Sequence, residues 1–513
     1  MSSGRQALIF AALRNRGAFV NPHFFRRKIR KANPFSFVFI TMKTLFYLSV
    51  LTLTITPSYH AAPKPNIVLI LLDDSGWTDF GCYGSDIETP NIDQLANEGM
   101  RFTDCHSAAP NCSPARVGLL TGRTPSRTGM YSYRPPDHAM HLRSEEITIA
   151  ELLKTRGYHT GHFGKWHLST LLSKNQATPK DQGFDHSLGT DNNASPTHRN
   201  PKNFVRNGQP VGETNGYSCQ IVVDEAIAWM NTLDADEPFF TCVWYHEPHT
   251  PIASPEKLIK KYQKKFPDIS KREATYYANI ENVDRATGRL LEHIQKRGQT
   301  DHTLIFITSD NGGINNHSVQ GLRGRKSNLW EGGHRVPGIF RWPGKVAAGT
   351  TCDVPISGVD LLPTVCEITN TPLPTGRKID GTSLAGLLTG KSGILDRKTP
   401  LYWFFYRLNP ALALRDGKWV LLAETNDAQR PKTHSLIAAD IPFIKKSKPA
   451  KFMLYNLESE LNQRTEVSQQ HPEVLDRLKK SLEKLHADVV AEGPAWKIPS
   501  SDRPSKPKIW NSY

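Results

Sequence analysis

Six short stretches of the chain combine residue types that can do chemistry together: Asp73-Asp74, "CSPAR" at 112–116, "KWH" at 165–167, "HEPH" at 246–249, "DNGG" at 310–313, and Lys326 inside "LRGRKSNLWEGG". Asp73, Asp74, Asp310 and the amide oxygen of Asn311 offer four hard oxygen donors, a set that suits Ca²⁺ or Mg²⁺ rather than a soft-ligand metal. Three carboxylates packed together repel one another unless a cation sits among them. Arg116, Lys165, His167, His249 and Lys326 supply positive or proton-carrying groups around that acidic floor. A divalent cation ringed by such donors is what a tetrahedral anionic group needs while a bond to one of its oxygens breaks. "HEPH" is not the zinc-protease HExxH, because its second His comes one residue early. Cys112 precedes Pro114, which suits a first helical turn. At a helix N-terminus, unpaired N–H groups favour a thiolate and predict a lowered thiol pKa. Taken alone, a cysteine reads first as a buried structural one, since free Cys is among the most buried residue types, and the rest of the chain decides for Cys112.

The elements that must position these residues alternate between strand and helix. "NIVLILLDD" (66–74), "YHTGHFGKWHL" (158–168), "PFFTCVWYHEPH" (238–249) and "TLIFITSDNGG" (303–313) read as strands, and each ends in one of the polar clusters. Residues 92–102, 147–158, 219–233 and 272–298 have helical spacing. The pattern predicts an α/β fold, a large mostly parallel sheet sandwiched by helices. In such sheets ligands bind outside the carboxyl ends of the strands, so the clusters can converge on one crevice. From about residue 400 short strands with an Asp416-Gly417 turn, then a helix over 472–491, predict a smaller C-terminal α+β domain of antiparallel strands and a helix. The expected organisation is a basic upstream extension (1–41), a signal peptide (42–62), a catalytic α/β domain (63–395), the C-terminal domain (396–492) and a loose tail (493–513).

The 513 residues carry a formal charge of +15. Nine of the 64 Lys and Arg, and none of the 49 Asp and Glu, fall in the first 62 residues, leaving an excess of only +6 beyond them. The basic character is therefore N-terminal, and no nucleic-acid partner is expected. From Met42 a basic start, an apolar run to Ile55 and a stretch with small residues predict export to the periplasm or outside the cell. The run is too short for a stable membrane span. The seven cysteines show no CxxC spacing; with Cys112 set aside, six could pair, and the sequence leaves that open.

The set "LILLDD", "CSPAR…LLTGR", "GKWHL", "HEPHTP", "SDNGG" and "LRGRKSNLWEGG", in that order over roughly residues 64–490, resembles the type I, formylglycine-dependent sulfatases of the alkaline phosphatase superfamily, closest to the arylsulfatase and N-acetylgalactosamine-6-sulfatase type. The resemblance implies a sulfuric ester hydrolase acting on sulfated carbohydrate or aryl sulfate. It implies that Cys112 becomes formylglycine (3-oxoalanine) through a formylglycine-generating or radical maturation enzyme. It further implies one Ca²⁺ held by Asp73, Asp74, Asp310, Asn311 and the modified Cys112, with Arg116, Lys165, His167, His249 and Lys326 catalytic. Ala115 stands where many members carry Ser. Two other readings stay open: a phosphate or phosphonate ester hydrolase on the same fold, and a silent homologue that binds sulfated glycans. Asn192, Asn193, His198 and Arg199, in the polar loop 189–204, are candidates for sugar contacts, as are the aromatic faces of Trp330, Trp403 and Phe405.

Overall fold

The computed structural model describes residues 64–426 and 435–499. The expected upstream extension and signal peptide lie outside them. The sequence periodicity becomes a ten-stranded sheet whose five central strands run parallel in the order β5-β1-β4-β2-β3. These are β1 (Asn66–Asp73), β2 (His159–Lys165), β3 (His186–Thr190), β4 (Phe239–Pro248) and β5 (Thr303–Ser309). β1 is buried along its whole length, as the apolar run predicts for a parallel strand covered on both faces. Its side chains alternate between two cores: Ile67, Leu69 and Leu71 point into one, Val68, Ile70 and Leu72 into the other. Helices α2 (Ser218–Met230) and α3 (Lys271–Lys296) close the second core.

A further helix, α1 (Cys112–Thr121), is buried on the opposite face. All ten of its residues are inaccessible, so it shows no polar face. Asn111 precedes it in extended conformation, and Gly122 ends it with φ +67°, a left-handed position that glycine adopts freely.

A separate four-stranded antiparallel sheet, β6 (Leu401–Phe404), β7 (Leu412–Asp416), β8 (Trp419–Thr425) and β9 (Pro449–Asn456), packs with helix α4 (Pro472–Glu492) onto the α1 side. Asp416 pairs with Trp419 across a turn in which Gly417 has φ +55°, the predicted hairpin.

Several expectations change. The helical run predicted over 92–102 is a helix at Pro90–Asn97 followed by a strand at Met100–Phe102, which pairs with residues 338–340 on one side and 350–352 on the other, because Gly99 ends the helix against the backbone of Phe340. Part of the expected tail is held: the Tyr131 hydroxyl donates to Pro494 O (2.8 Å) and Trp496 Nε1 to Gly129 O (2.8 Å). All seven cysteines are free.

Candidate active site

β1 ends in a bulge between Leu71 and Asp73, which sets Asp73 beside the end of β4, while the Asp74 N–H donates to Asp310 Oδ1 (3.2 Å) beyond β5. Asp74 has φ +72°, a strained value for a non-glycine residue and one that turns its carboxylate back toward the strand ends. Lys165, the last residue of β2, reaches Asp73 Oδ2 at 2.6 Å, and Lys326 reaches Asp74 Oδ1 at 2.6 Å. Arg116, one helical turn after Cys112, donates Nε and Nη2 to Asp310 Oδ2 (2.9 and 2.8 Å) and Nη1 to Lys165 O (2.7 Å). Cys112 Sγ lies 3.5 Å from Asp73 Oδ1 and 3.4 Å from Lys326 Nζ. His249 Nε2 is 3.6 Å from Asp74 Oδ2, and its Nδ1 donates to Thr250 O (2.6 Å). His167, with φ +57°, donates Nε2–H to Arg134 O (2.7 Å), leaving Nδ1 buried with no partner among the described residues. The ten residues singled out by sequence thus converge where the parallel strands end.

Burial works to raise the Asp73 pKa, but Lys165, His249, Arg116 and Lys326 outweigh it and hold the carboxyl well below the usual range. Asp310 goes the other way, to about 7, because burial and the neighbouring Asp73 charge exceed the pull of Arg116. Burial lowers His249 to about 4 and brings His167 well below the ordinary imidazole value, with Lys165 and Arg116 adding to the latter. Lys326 is raised despite burial, since Asp74, the Cys112 thiol, Asp73 and Asp310 surround it. For Cys112 the direction is opposite to the expected lowering: burial pushes the thiol to about 12, and the charges of Lys165 and Lys326 do not compensate.

The donor set fits a hard divalent cation. Asn311 gives its Nδ2 to Asp74 Oδ1 (2.9 Å) and Gly312 O (3.1 Å), while its Oδ1 is buried with no partner among the described residues. Ligand atoms of Asp73, Asp74, Cys112 and His249 lie within 4.8 Å of one another. His106, Glu331 and His334 form a second such group. There Glu331 already meets Arg335 (2.9 Å) and Arg415 (3.8 Å), so that group reads as a buried ion network.

The sugar-contact candidates separate. Asn193 is half-buried at the site, its Oδ1 3.3 Å from Lys165 Nζ and its Nδ2 donating to Thr250 O (3.0 Å). Asn192 is half-buried beside it and Arg199 is exposed. His198 is fully buried and accepts from Asn279 Nδ2 (3.2 Å), out of a sugar's reach. Trp330, Trp403 and Phe405 belong to the core beneath the small sheet, where Trp403 stacks on His334 at 4.5 Å. Sequence reasoning missed Arg134; nothing in "YSYRPP" marks it until the carbonyl is seen on His167.

A parallel sheet whose carboxyl ends gather acids, cations and a helix-borne Cys defines a hydrolase of anionic esters. The family model described as Sulfatase matches residues 65–371, and the chain belongs to that family as a sulfuric ester hydrolase. It is 32% identical to arylsulfatase A of Homo sapiens over 404 residues, 72% of this chain and 76% of that protein. To N-acetylgalactosamine-6-sulfatase of Rattus norvegicus it is 33% identical over 390 residues, 70% of this chain and 71% of that one. Among solved structures it resembles Ps i-CgsB in complex with k-i-k-neocarrahexaose, with TM-score 0.72, 28% identity, and 85% of this chain and 96% of that one covered.

Proposed function

We propose that this sulfatase releases sulfate from a sulfated carbohydrate by means of a formylglycine formed from Cys112 and one Ca²⁺ held by Asp73, Asp74, Asp310 and Asn311. The observation that carries it is the buried Cys112 thiol, 3.4 Å from Lys326 and 3.5 Å from Asp73, in surroundings that keep it protonated. A protonated thiol is a poor nucleophile. When present, the formylglycine hydrate supplies the attacking oxygen and the cation supplies positive charge against the sulfate oxygens. Arg116 fixes Asp310 and the Lys165 carbonyl. In this reading Lys165 and Lys326 grip sulfate oxygens. The Lys326 ammonium, which keeps its proton, stabilises the departing alcohol oxygen, and His249, its ring oriented by the Thr250 carbonyl, stands beside it to carry the proton that oxygen takes up. His167 Nδ1 is the lone pair that takes up a proton as sulfate leaves. Such proton transfers contribute about 10²–10⁴-fold each.

The names of the related N-acetylgalactosamine-6-sulfatase and of the carrahexaose complex support a carbohydrate substrate, and Asn193, bridging Lys165 and the Thr250 carbonyl, offers amide groups to its hydroxyls. A maturation enzyme acting on 112–116 before folding and an exported location complete the reading.

Mass spectrometry of the tryptic peptide Phe102–Arg116 from the native host tests it. An aldehyde at position 112 with Cys105 intact supports the proposal; a thiol at both positions in fully active enzyme overturns it.

A further inference from the structure

We propose that Arg134 is the positioning residue that sets the tautomer and orientation of His167. Arg134 is completely buried, yet among the described residues no carboxylate forms an ion pair with it, Asp191 and Asp137 acting only from a distance. Its Nε donates to Met140 O (2.9 Å), and its Nη2 to His138 O (3.2 Å), Thr170 Oγ1 (2.5 Å) and Gln176 Oε1 (2.8 Å). Nη1 has no partner among the described residues, and burial lowers the guanidinium to about 10 against the pull of Asp191 and Asp137. A buried cation served mainly by neutral acceptors is costly, and an apolar side chain would fill the space at lower cost.

The main chain of Arg134 supplies the compensating role. Its N–H donates to the hydroxyl oxygen of Ser113 (3.0 Å), the residue after Cys112, and its carbonyl accepts from His167 Nε2 (2.7 Å). One residue therefore ties the start of α1 to the histidine across the site. The guanidinium keeps that residue in place by joining 138–140 to 170–176, the loop that follows His167. Gln176 strengthens the joint, accepting from the Thr170 N–H (2.9 Å) and donating to His138 O (2.9 Å). A carbonyl can only accept, so Nε2 must carry the proton and Nδ1 must present its lone pair. The same hold keeps His167 at φ +57°.

The role of Nδ1 as proton acceptor rests on the proposed function; the fixed tautomer does not. Arg134→Met removes every guanidinium bond, and Arg134→Lys keeps the charge but reaches fewer acceptors. Nitrogen-15 spectra of the histidines, in protein still carrying the Cys112 thiol, are assigned with His167→Gln as the control. The expected result is an Nε2–H tautomer for His167 in the parent, a mixture in Arg134→Met and an intermediate in Arg134→Lys. In mature enzyme, kcat falls about 10–100-fold with KM within about twofold, and Lys recovers part of the loss. Variants that keep the parent tautomer and kcat while only their melting temperature drops overturn the proposal and leave Arg134 a loop staple. A parent with no sulfate ester hydrolysis removes the functional reading, whereas the spectra still decide the positioning role.

Discussion

Around Cys112 a helix N-terminus and two lysines favour a thiolate, whereas complete burial and two nearby carboxylates oppose it. Burial is the largest contribution and the thiol ends near 12. Cys112→Ala should therefore lose aryl sulfate turnover by at least about a thousandfold, the scale on which losing a nucleophile acts. Its melting temperature should stay close to the parent's, since only one buried sulfur is removed; substantial residual turnover would refute the assignment. Rates on an aryl sulfate and the matching aryl phosphate, measured on the parent enzyme, should favour the sulfate; the reverse order would favour the phosphoester reading. Asp310→Ala strands Arg116, whose two closest carboxylate bonds both go to Asp310 Oδ2. Leaving a buried charge without its partner costs about 3–5 kcal/mol, so urea denaturation should show a loss of that order.

The turn Glu331–His334 shows how a short element carries the site. Its Gly333 carbonyl accepts from the Gly312 N–H (3.0 Å), beside Asn311, and the Lys326 N–H donates to Gly313 O (3.1 Å). The small sheet holds this turn from behind through the Trp403 ring on His334 and Arg415, whose Nη1 lies 3.8 Å from Glu331 Oε1. A Cβ on Gly333 would lie 2.0 Å from Asn328 O, backbone that cannot move without shifting the loop of Lys326. Gly333→Ala should lower kcat sharply and destabilise by about 1–3 kcal/mol, the usual cost of overpacking. Steady-state kinetics with a chemical melt checks both; a variant of parental activity would show that the loop tolerates the shift. Secondary structure itself was legible: the four strands ending in polar clusters stand where the apolar runs put them. The helix–strand break at Gly99 was not, because it depends on the approach of Phe340 from a strand far along the chain.

Across the whole molecule, acid and metal should govern stability. His486 on α4 is buried between Tyr402 (2.7 Å) and Ser447 (2.9 Å), and burial lowers it to about 4. The unfolded chain, with an ordinary imidazole near 6.5, binds the proton first, so stability falls as pH drops from about 6.5 toward about 4. His486→Gln should lessen the acid slope of the melting-temperature profile, to which buried His249 and His167 also contribute; an unchanged slope would place the titration elsewhere. If Ca²⁺ binds the native site alone, a hundredfold excess over its dissociation constant adds about 2.7 kcal/mol, reversible by chelator. A melt indifferent to both would tell against a resident cation. By itself the sequence determined the parallel α/β architecture, the C-terminal sheet and the ten polar residues of the site, because strand periodicity and polar strand ends are local properties. Only the tertiary structure decided the burial of Cys112, His198 and Trp403, and the hydrogen bond from His167 to the Arg134 carbonyl. Each of these depends on desolvation or on a backbone carbonyl brought in by a segment far from it along the chain, which residue type and spacing do not encode.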